Sequence, residues 1–252
     1  NSNTGLRVRN FQVVVSFKTP CKEQPPSEDD IERCLSVERS MFEVLKSVGL
    51  RPLQMNGDVW LHLMRKFFNW GEETTWKGKV TKASTSIPLR DQVFEWGKGM
   101  RVDKNGIMLP NKVAKVLSVQ NWPDLVALPQ MYDLIGDWRS GRFGVRENMA
   151  VVLNVFFPPV DKALSSLEAK RQTINYQAQG KLQKWVPKLM KQKESHDALY
   201  NSLSEGGRIL KAHLHFILFA DDENKLDASI ANMKTYYKSN HYHVQEESWA
   251  SV

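Results

Sequence analysis

The sequence of 252 residues contains little cysteine and no long apolar run. Its two cysteines, Cys21 and Cys34, form no Cys-x-x-Cys pair and have no third member beside them. A disulfide framework or a zinc knuckle needs more ligands at closer spacing, so we expect reduced thiols in a cytosolic protein. The longest apolar stretch, 149–157, is interrupted by Asn154 and is far shorter than the roughly 20 residues of a membrane-spanning helix.

The sequence also lacks the motifs that hold nucleotide phosphates or a catalytic nucleophile. A phosphate-binding loop of the form GxxxxGK[ST] requires Ser or Thr after its Gly-Lys pair. Gly-Lys pairs occur at 78–79, 97–98 and 180–181, and none is followed by either residue. The patterns GxSxG and HExxH are absent as well. We therefore predict no catalytic residue, and we expect that this chain does not hydrolyse ATP by itself.

What the sequence does contain is enough apolar material for a packed core and a moderate excess of positive charge. Hydrophobic residues make up 41%, including 8 Trp and 11 Phe, which excludes disorder as a description of the whole chain. Lys and Arg number 35 against 28 Asp and Glu, a net charge of +7. Such an excess suits nucleic acid, anionic lipid or an acidic protein, and it does not distinguish between them.

The apolar periodicity predicts both strands and helices. Apolar residues alternate over 8–18, which indicates a strand, and 50–54 is interpreted as a short second strand. Ser27 is typical of a helix N-cap, and Asn105-Gly106 is typical of a hairpin turn. The run 149–157 is apolar at alternate and intervening positions, which indicates a strand buried on both faces.

These elements predict an α+β fold with mixed or antiparallel sheets and split βαβ-type units at both ends of the chain. A long helical segment is expected over 161–203, near the C-terminal third, with a break close to Gly180 and Pro187. A strand, a helix that starts at Asp221-Asp222 and a last strand follow it. The range 1–252 is predicted to be one N-terminal domain of a longer protein, with possible sub-units 1–90 and 91–252.

Two histidine pairs give a pattern that resembles a metal site. His213 and His215 stand two residues apart on one predicted strand, and His241 and His243 stand two apart on another. Four imidazoles could converge on zinc or copper if these strands paired with the same faces together. Strand alternation also produces such pairs as solvent-facing residues, so no metal site is predicted.

A run of lysines without any acidic residue favours a nucleic-acid-binding module as an alternative function. Its members are Lys181, Lys184, Lys188, Lys191 and Lys193. Trp185 and Tyr176 lie nearby, and aromatic rings interleaved with lysines can hold single-stranded nucleic acid through stacking and phosphate contacts. A solvated helix face explains the same run without any ligand.

The order of longer segments carries a family resemblance. In chain order these segments are RNFQVVVSFKTP, DKNGIMLPNKVAKVLSVQNWPDLVALPQMYDLIGD, MAVVLNVFFPP, INYQAQGKLQKWVPKLMKQKESHDAL and ILKAHLHFILFADDENKLDASIANMKTYY. The series resembles the amino-terminal half of the TraC family, the F-type conjugation ATPases of the type IV secretion superfamily. The resemblance covers nearly the whole chain, and no position matches the catalytic residues of that family.

The resemblance implies where the chain lies in a longer protein and where that protein acts in the cell. The amino-terminal half of this family precedes a RecA-like motor domain, which holds the Walker motifs together with ATP and magnesium, so no cofactor is expected in this chain. The first residue, Asn1, is not Met, as expected of an excised piece. Family members assemble as hexamers at the cytoplasmic face of the bacterial inner membrane, where this half contacts membrane components of the channel and neighbouring subunits.

The leading expectation is therefore a non-catalytic docking and assembly domain that serves pilus assembly and DNA transfer. Aromatic residues carry much of the binding energy of protein interfaces. The candidate anchors are Trp70, Trp76, Trp122 and Trp138. Ordinary core packing explains each of these tryptophans when it is taken singly.

Overall fold

The structure, a computed structural model, describes residues 12–21, 24–78, 82–95, 97–103, 106–123, 135, 145, 147–178 and 187–247. At 177–178 and 187–189 it describes the backbone alone. The chain divides into two compact units. Unit 1 comprises Asn1–Met100 and Leu109–Asn111, and unit 2 comprises Arg101–Met108 and Lys112–Val252.

Helices dominate the described part of unit 1. Helix α1 spans Glu28–Ser47 and helix α2 spans Gly57–Phe68, and two 3-10 helices follow at Thr75–Lys77 and Leu89–Gln92. Helix α1 begins where the sequence predicts, because the Ser27 hydroxyl accepts a hydrogen bond from the backbone N–H of Asp30 at 3.3 Å.

The strands predicted at 8–18 and 50–54 are absent from the described residues of these segments, so both predictions are wrong there. Residues 12–18 lie outside any helix or strand, and Val13 has 88% of its surface exposed. A strand is stable when a neighbouring strand satisfies its backbone groups. Between residues 12 and 100 the described chain contains no strand that could do so.

From Arg101 onward the chain forms a six-stranded antiparallel sheet. Its strands are β1 Arg101–Asp103, β2 Gly106–Leu109, β3 Lys112–Asn121, β4 Asn148–Phe156, β5 Lys211–Ala220 and β6 His243–Glu246. The paired order is β1-β2-β3-β5-β4, and β6 also pairs with β3. The antiparallel pairing of β1 with β2 confirms the predicted hairpin, although Asn105 itself lies outside the described residues.

A split βαβ unit closes the chain, as predicted. Strand β5, helix α5 (Glu223–Ser239) and strand β6 follow one another in sequence. Both strands run antiparallel to β3, and Leu117 of β3 pairs with Phe216 on one side and Glu246 on the other. Strands β5 and β6 are therefore parallel to each other with β3 inserted between them, and the α+β class is confirmed.

The main core lies between helix α5 and one face of this sheet. Leu117, Leu214, Phe216 and Leu218 of the sheet are buried against Leu226, Ile230, Met233 and Tyr237 of α5. The rings of Phe216 and Tyr237 stack with their centroids 4.5 Å apart. Helix α5 starts at the predicted position, because the Asp222 carboxylate accepts from the backbone N–H of Lys225 at 2.8 Å.

The predicted long helical segment consists of two helices that are inserted between β4 and β5. Helix α3 spans Val160–Ala178 and helix α4 spans Pro187–Ser204, so the predicted break falls between them. The guanidinium of Arg171 pairs with Asp197 and lies 4.6 Å from the centre of the Tyr200 ring. These contacts fold α4 back along α3 as an antiparallel helical hairpin.

Candidate functional site

Strand β4 forms one edge of the sheet and, among the described residues, pairs only with β5. Its register runs from Asn148 opposite Phe219 to Phe156 opposite Lys211. The prediction that this strand is buried on both faces is wrong, because 52% of Leu153 is exposed and Phe156 is exposed as well. Helix α5 packs on β3, β5 and β6, and the core that it covers stops short of the outer half of β4.

Apolar exposure continues past β4 into the base of the helical hairpin. Phe157 has 67% of its surface exposed, and Val160 and Leu210 are also exposed. A small cavity of about 120 Å³ opens beside them. Its lining residues are Phe157, Pro158, Val160, Ala163, Leu203, Arg208 and Ile209. The base of the hairpin therefore contains a small recess that is lined mainly by apolar side chains.

These exposed apolar side chains lie on β4 and at the base of the helical hairpin, and we name them together the β4 surface. It consists of Val151, Leu153, Val155, Phe156, Phe157, Val160 and Leu210. The chain carries no charged residue from 148 to 160, whereas Glu147 and Asp161 flank this range. Free edge strands normally carry charge or proline for protection, and β4 carries neither.

The face of the sheet opposite α5 carries two of the histidines. The His213 and His215 rings stack with centroids 6.4 Å apart, and the Ser118 hydroxyl lies 2.7 Å from Nδ1 of His215. Strand β3 separates β5 from β6, so His243 does not pair across to them. Within the described ranges, no three His, Cys, Asp or Glu side chains are grouped so as to hold a metal ion.

Ion pairs join helix α5 to the strands beneath it. Nζ of Lys115 lies 2.7 Å from Asp227 and 3.5 Å from Glu246, and Lys234 donates to Glu246 at 2.6 Å. The hydrogen bond from Lys234 holds the pKa of Glu246 below its ordinary value, although partial burial acts in the opposite direction. These ion pairs with α5 and β3 account for the lowered pKa of Glu246.

Comparison with known proteins decides the family. A family model described as TraC protein matches residues 1–251, which is nearly the whole chain. The chain belongs to the TraC family. This membership confirms the resemblance seen in the sequence and gives the chain a role related to conjugation and type IV secretion. No curated protein matches the chain. In the part of this TraC protein that the structure describes, no helix is both long and apolar enough to cross a membrane.

The tryptophans proposed as anchors lie in different settings in this TraC protein. In unit 1 the indole N–H of Trp70 donates to the Phe67 carbonyl at 2.9 Å, and that of Trp76 donates to the Asn69 carbonyl at 2.7 Å. Trp122 follows β3 with 37% of its surface exposed. Trp138 lies outside the described residues. Their role as anchors stays a prediction.

Most of the lysines predicted to bind nucleic acid lie outside the residues whose side chains the structure describes. Lys181 and Lys184 are outside it, and Lys188 belongs to α4 with only its backbone described. Of the two remaining lysines on α4, Lys191 is exposed and Lys193 is half-buried. Binding of nucleic acid by this TraC protein also stays a prediction.

The β4 surface is not among the sites that the sequence predicts. The apolar run 149–157 predicts burial, whereas the structure leaves Leu153, Phe156 and Phe157 exposed. One signal could have indicated an interface: the run contains no charged residue over 148–160 and ends between two acidic residues, Glu147 and Asp161. The position of β4 at the edge depends on pairing with β5, some 60 residues away, and local periodicity does not encode it.

Proposed function

We propose that this TraC protein is a non-catalytic docking and assembly domain of a conjugative type IV secretion ATPase. The observation that supports this proposal is the β4 surface, a group of exposed apolar side chains with a cavity beside Phe157 and Val160. Contiguous exposed apolar surface is costly in water and commonly marks a site of protein–protein contact. Membership of the TraC family supports a role in a conjugative secretion system. The β4 surface offers a means of binding other proteins of that system.

Specific features of the β4 surface suit the binding of a protein. Phe157 is a large exposed aromatic ring next to a cavity of about 120 Å³, and aromatic residues beside pockets are common binding hot spots. Arg208 lines the same cavity and can pair with an acidic group of the partner. The partners proposed are other subunits of the secretion channel and its inner-membrane components.

The chain contains no phosphate-binding loop, so we place ATP and magnesium in a motor domain of the parent protein and not in this chain. The parent protein would assemble as a hexamer, cytoplasmic and peripheral to the bacterial inner membrane. Phosphate release from ATP by the purified chain would contradict the non-catalytic part of the proposal.

The test replaces Phe157, the exposed ring beside the cavity. We expect Phe157→Asp to lower the frequency of conjugative transfer from donor cells by at least about 10-fold, because a charge would be buried in the interface. Co-isolation of the channel subunits with the variant should fall in parallel. Phe157 is exposed, so its replacement leaves the core intact.

The matched control is Tyr176→Asp, which changes another exposed aromatic residue on α3 outside the β4 surface. Docking through the β4 surface predicts unchanged transfer for this variant. Equal losses from both variants, or a loss from Tyr176→Asp alone, would contradict the proposal. The second result would favour the lysine-rich segment near Tyr176 as the functional site.

A further inference from the structure

A cavity of about 310 Å³ lies in unit 2, beside the stacked rings of His213 and His215. Its polar and aromatic lining residues are Ser118, Gln120, Trp122, His213, His215 and Glu247. We name it the β3–β5 cavity, and we propose that it binds an arginine side chain of a partner protein. It shares no residue with the β4 surface, so this inference goes beyond the proposed docking function.

The lining residues favour a positively charged ligand. Glu247 supplies a carboxylate, and none of the described residues that line the cavity is Lys or Arg. Glu247 is half-buried and, within the described part of the chain, forms no ion pair, whereas Glu246 beside it pairs with Lys115 and Lys234. A phosphate or carboxylate ligand would therefore lack a basic partner in this cavity, but a cation would pair with Glu247.

Backbone pairing and one buried hydroxyl hold these groups in place. The backbone N–H of Glu247 donates to the Val116 carbonyl at 2.9 Å, which keeps Glu247 beside β3. Ser118 is buried opposite His215 in the register, and its hydroxyl lies 2.7 Å from Nδ1 of that ring. When Nδ1 donates this hydrogen bond, Nε2 is left as an acceptor. A guanidinium group has five N–H donors and no acceptor, so it suits a carboxylate and an imidazole nitrogen together.

Flat aromatic surfaces favour arginine over lysine. The His213 and His215 rings are nearly parallel, with 12° between their planes and 6.4 Å between their centroids. The indole of Trp122 packs edge-on against Tyr242 and keeps 37% of its surface exposed. A planar guanidinium stacks on such rings while its N–H groups donate in the plane, whereas a lysine ammonium is a compact point charge.

The same lining favours an arginine within a protein over free arginine. Free arginine carries a carboxylate, and no Lys or Arg among the described lining residues could pair with it. An arginine residue inside a peptide carries only its guanidinium charge. Gln120 and His213 are exposed, so a segment of a partner can reach the cavity from solvent.

A titration followed by NMR tests this inference on the purified chain. The probe is the peptide acetyl-Gly-Gly-Arg-Gly-Gly-amide, and the signals observed are those of the His213 and His215 rings. We expect both signals to shift in a saturable way, with a Kd of about 1 mM or tighter. The same peptide with Lys in place of Arg, and free arginine, should each bind at least about 3-fold more weakly.

Two substitutions in the cavity identify the groups that act. Glu247→Gln keeps the size of the side chain and removes its charge, so it should weaken binding of the arginine peptide at least about 5-fold. His213→Ala removes a stacking surface, so it should weaken binding of the arginine peptide more than that of the lysine peptide. Neither residue belongs to the buried core. Glu205→Gln, at an exposed position after α4, is the control and should leave both affinities unchanged.

Three results would overturn the inference: His213 and His215 signals that do not shift at about 20 mM arginine peptide, equal affinities for the arginine and lysine peptides, or unchanged binding by Glu247→Gln. Each of them concerns the β3–β5 cavity alone. The docking proposal is tested separately by Phe157→Asp, which should leave the affinity for the arginine peptide within about 2-fold of the original while it lowers conjugative transfer.

Discussion

At the residue scale, unit 1 depends on one buried amide. Asn69 ends α2, and its side chain donates to the carbonyls of Val93 at 2.8 Å and Arg65 at 3.1 Å. Its amide oxygen accepts from the backbone N–H of Glu95 at 3.0 Å. The side chain is completely buried, so it connects the end of α2 to the segment around Val93 where water cannot replace it.

We expect Asn69→Ala to lower the free energy of unfolding of unit 1 by about 2 kcal/mol, because it leaves buried backbone groups of Val93 and Glu95 without their partner. Urea unfolding followed by tryptophan fluorescence measures the change. Asn201→Ala, at an exposed position of α4, is the control and should change stability by less than about 0.5 kcal/mol. Equal effects of the two substitutions would refute this role for Asn69.

We expect Glu95 to make the stability of unit 1 depend on pH. Partial burial acts to raise the pKa of Glu95, but the Thr75 hydroxyl and backbone N–H, both at 2.7 Å, and Lys98 at 3.0 Å lower it below its ordinary value of 4.5. A carboxyl group with a lowered pKa in the folded state stabilises the protein fully above about pH 4.5, and this stabilisation is lost as the pH falls through the folded-state pKa.

We therefore expect the unfolding free energy of unit 1 to fall between about pH 5 and about pH 3, and to fall less steeply in Glu95→Gln. Urea titrations across this range measure the two slopes. Glu194→Gln, on the exposed face of α4, is the matched control and should keep the original slope. Identical slopes for Glu95→Gln and the original chain would show that the Thr75 and Lys98 contacts do not act on this carboxylate.

At the element scale, features that depend on residues close together in the sequence could be predicted. The starts of α1 and α5 depend on a capping side chain and on the N–H three residues later, and both were found where Ser27 and Asp222 predict them. The hairpin of β1 and β2 and the break between α3 and α4 were also found where local turn and proline signals predict them. At the two helix starts the deciding contact spans only three residues.

The structure of segments that depend on residues far away in the sequence could not be predicted. Residues 12–18 have the alternation of a strand but, among the described residues, no neighbouring strand to pair with. Strand β4 has the composition of a buried strand, but its position at the edge leaves Leu153 and Phe156 exposed. The candidate site was missed for this reason, since its exposure follows from pairing across the sheet and from where α5 packs.

The cap of α5 gives a prediction at this scale. Asp222→Ala removes the acceptor for the backbone N–H of Lys225, so we expect a loss of about 1 kcal/mol of stability in unit 2. Thermal unfolding followed by circular dichroism measures this loss. Asn232→Ala, at an exposed position within the same helix, should produce no loss, because alanine has the higher helix propensity. A smaller effect for Asp222→Ala than for Asn232→Ala would contradict the capping role.

At the scale of the whole molecule, the sequence predicted the family. The order of segments along the chain pointed to the TraC family, and the match over residues 1–251 confirms it. The interface role of Trp70 and Trp76 stays a prediction, and both indole N–H groups donate to backbone carbonyls within unit 1.

The most direct test of the docking account is site-specific photo-crosslinking in conjugating donor cells. A photo-reactive phenylalanine analogue is placed at Phe157, at the centre of the β4 surface, or at Tyr176 as the control. Docking predicts crosslinks from position 157 to protein subunits of the secretion channel, identified by mass spectrometry, with none from position 176. Crosslinks that form to nucleic acid, or channel crosslinks from position 176 alone, would contradict it.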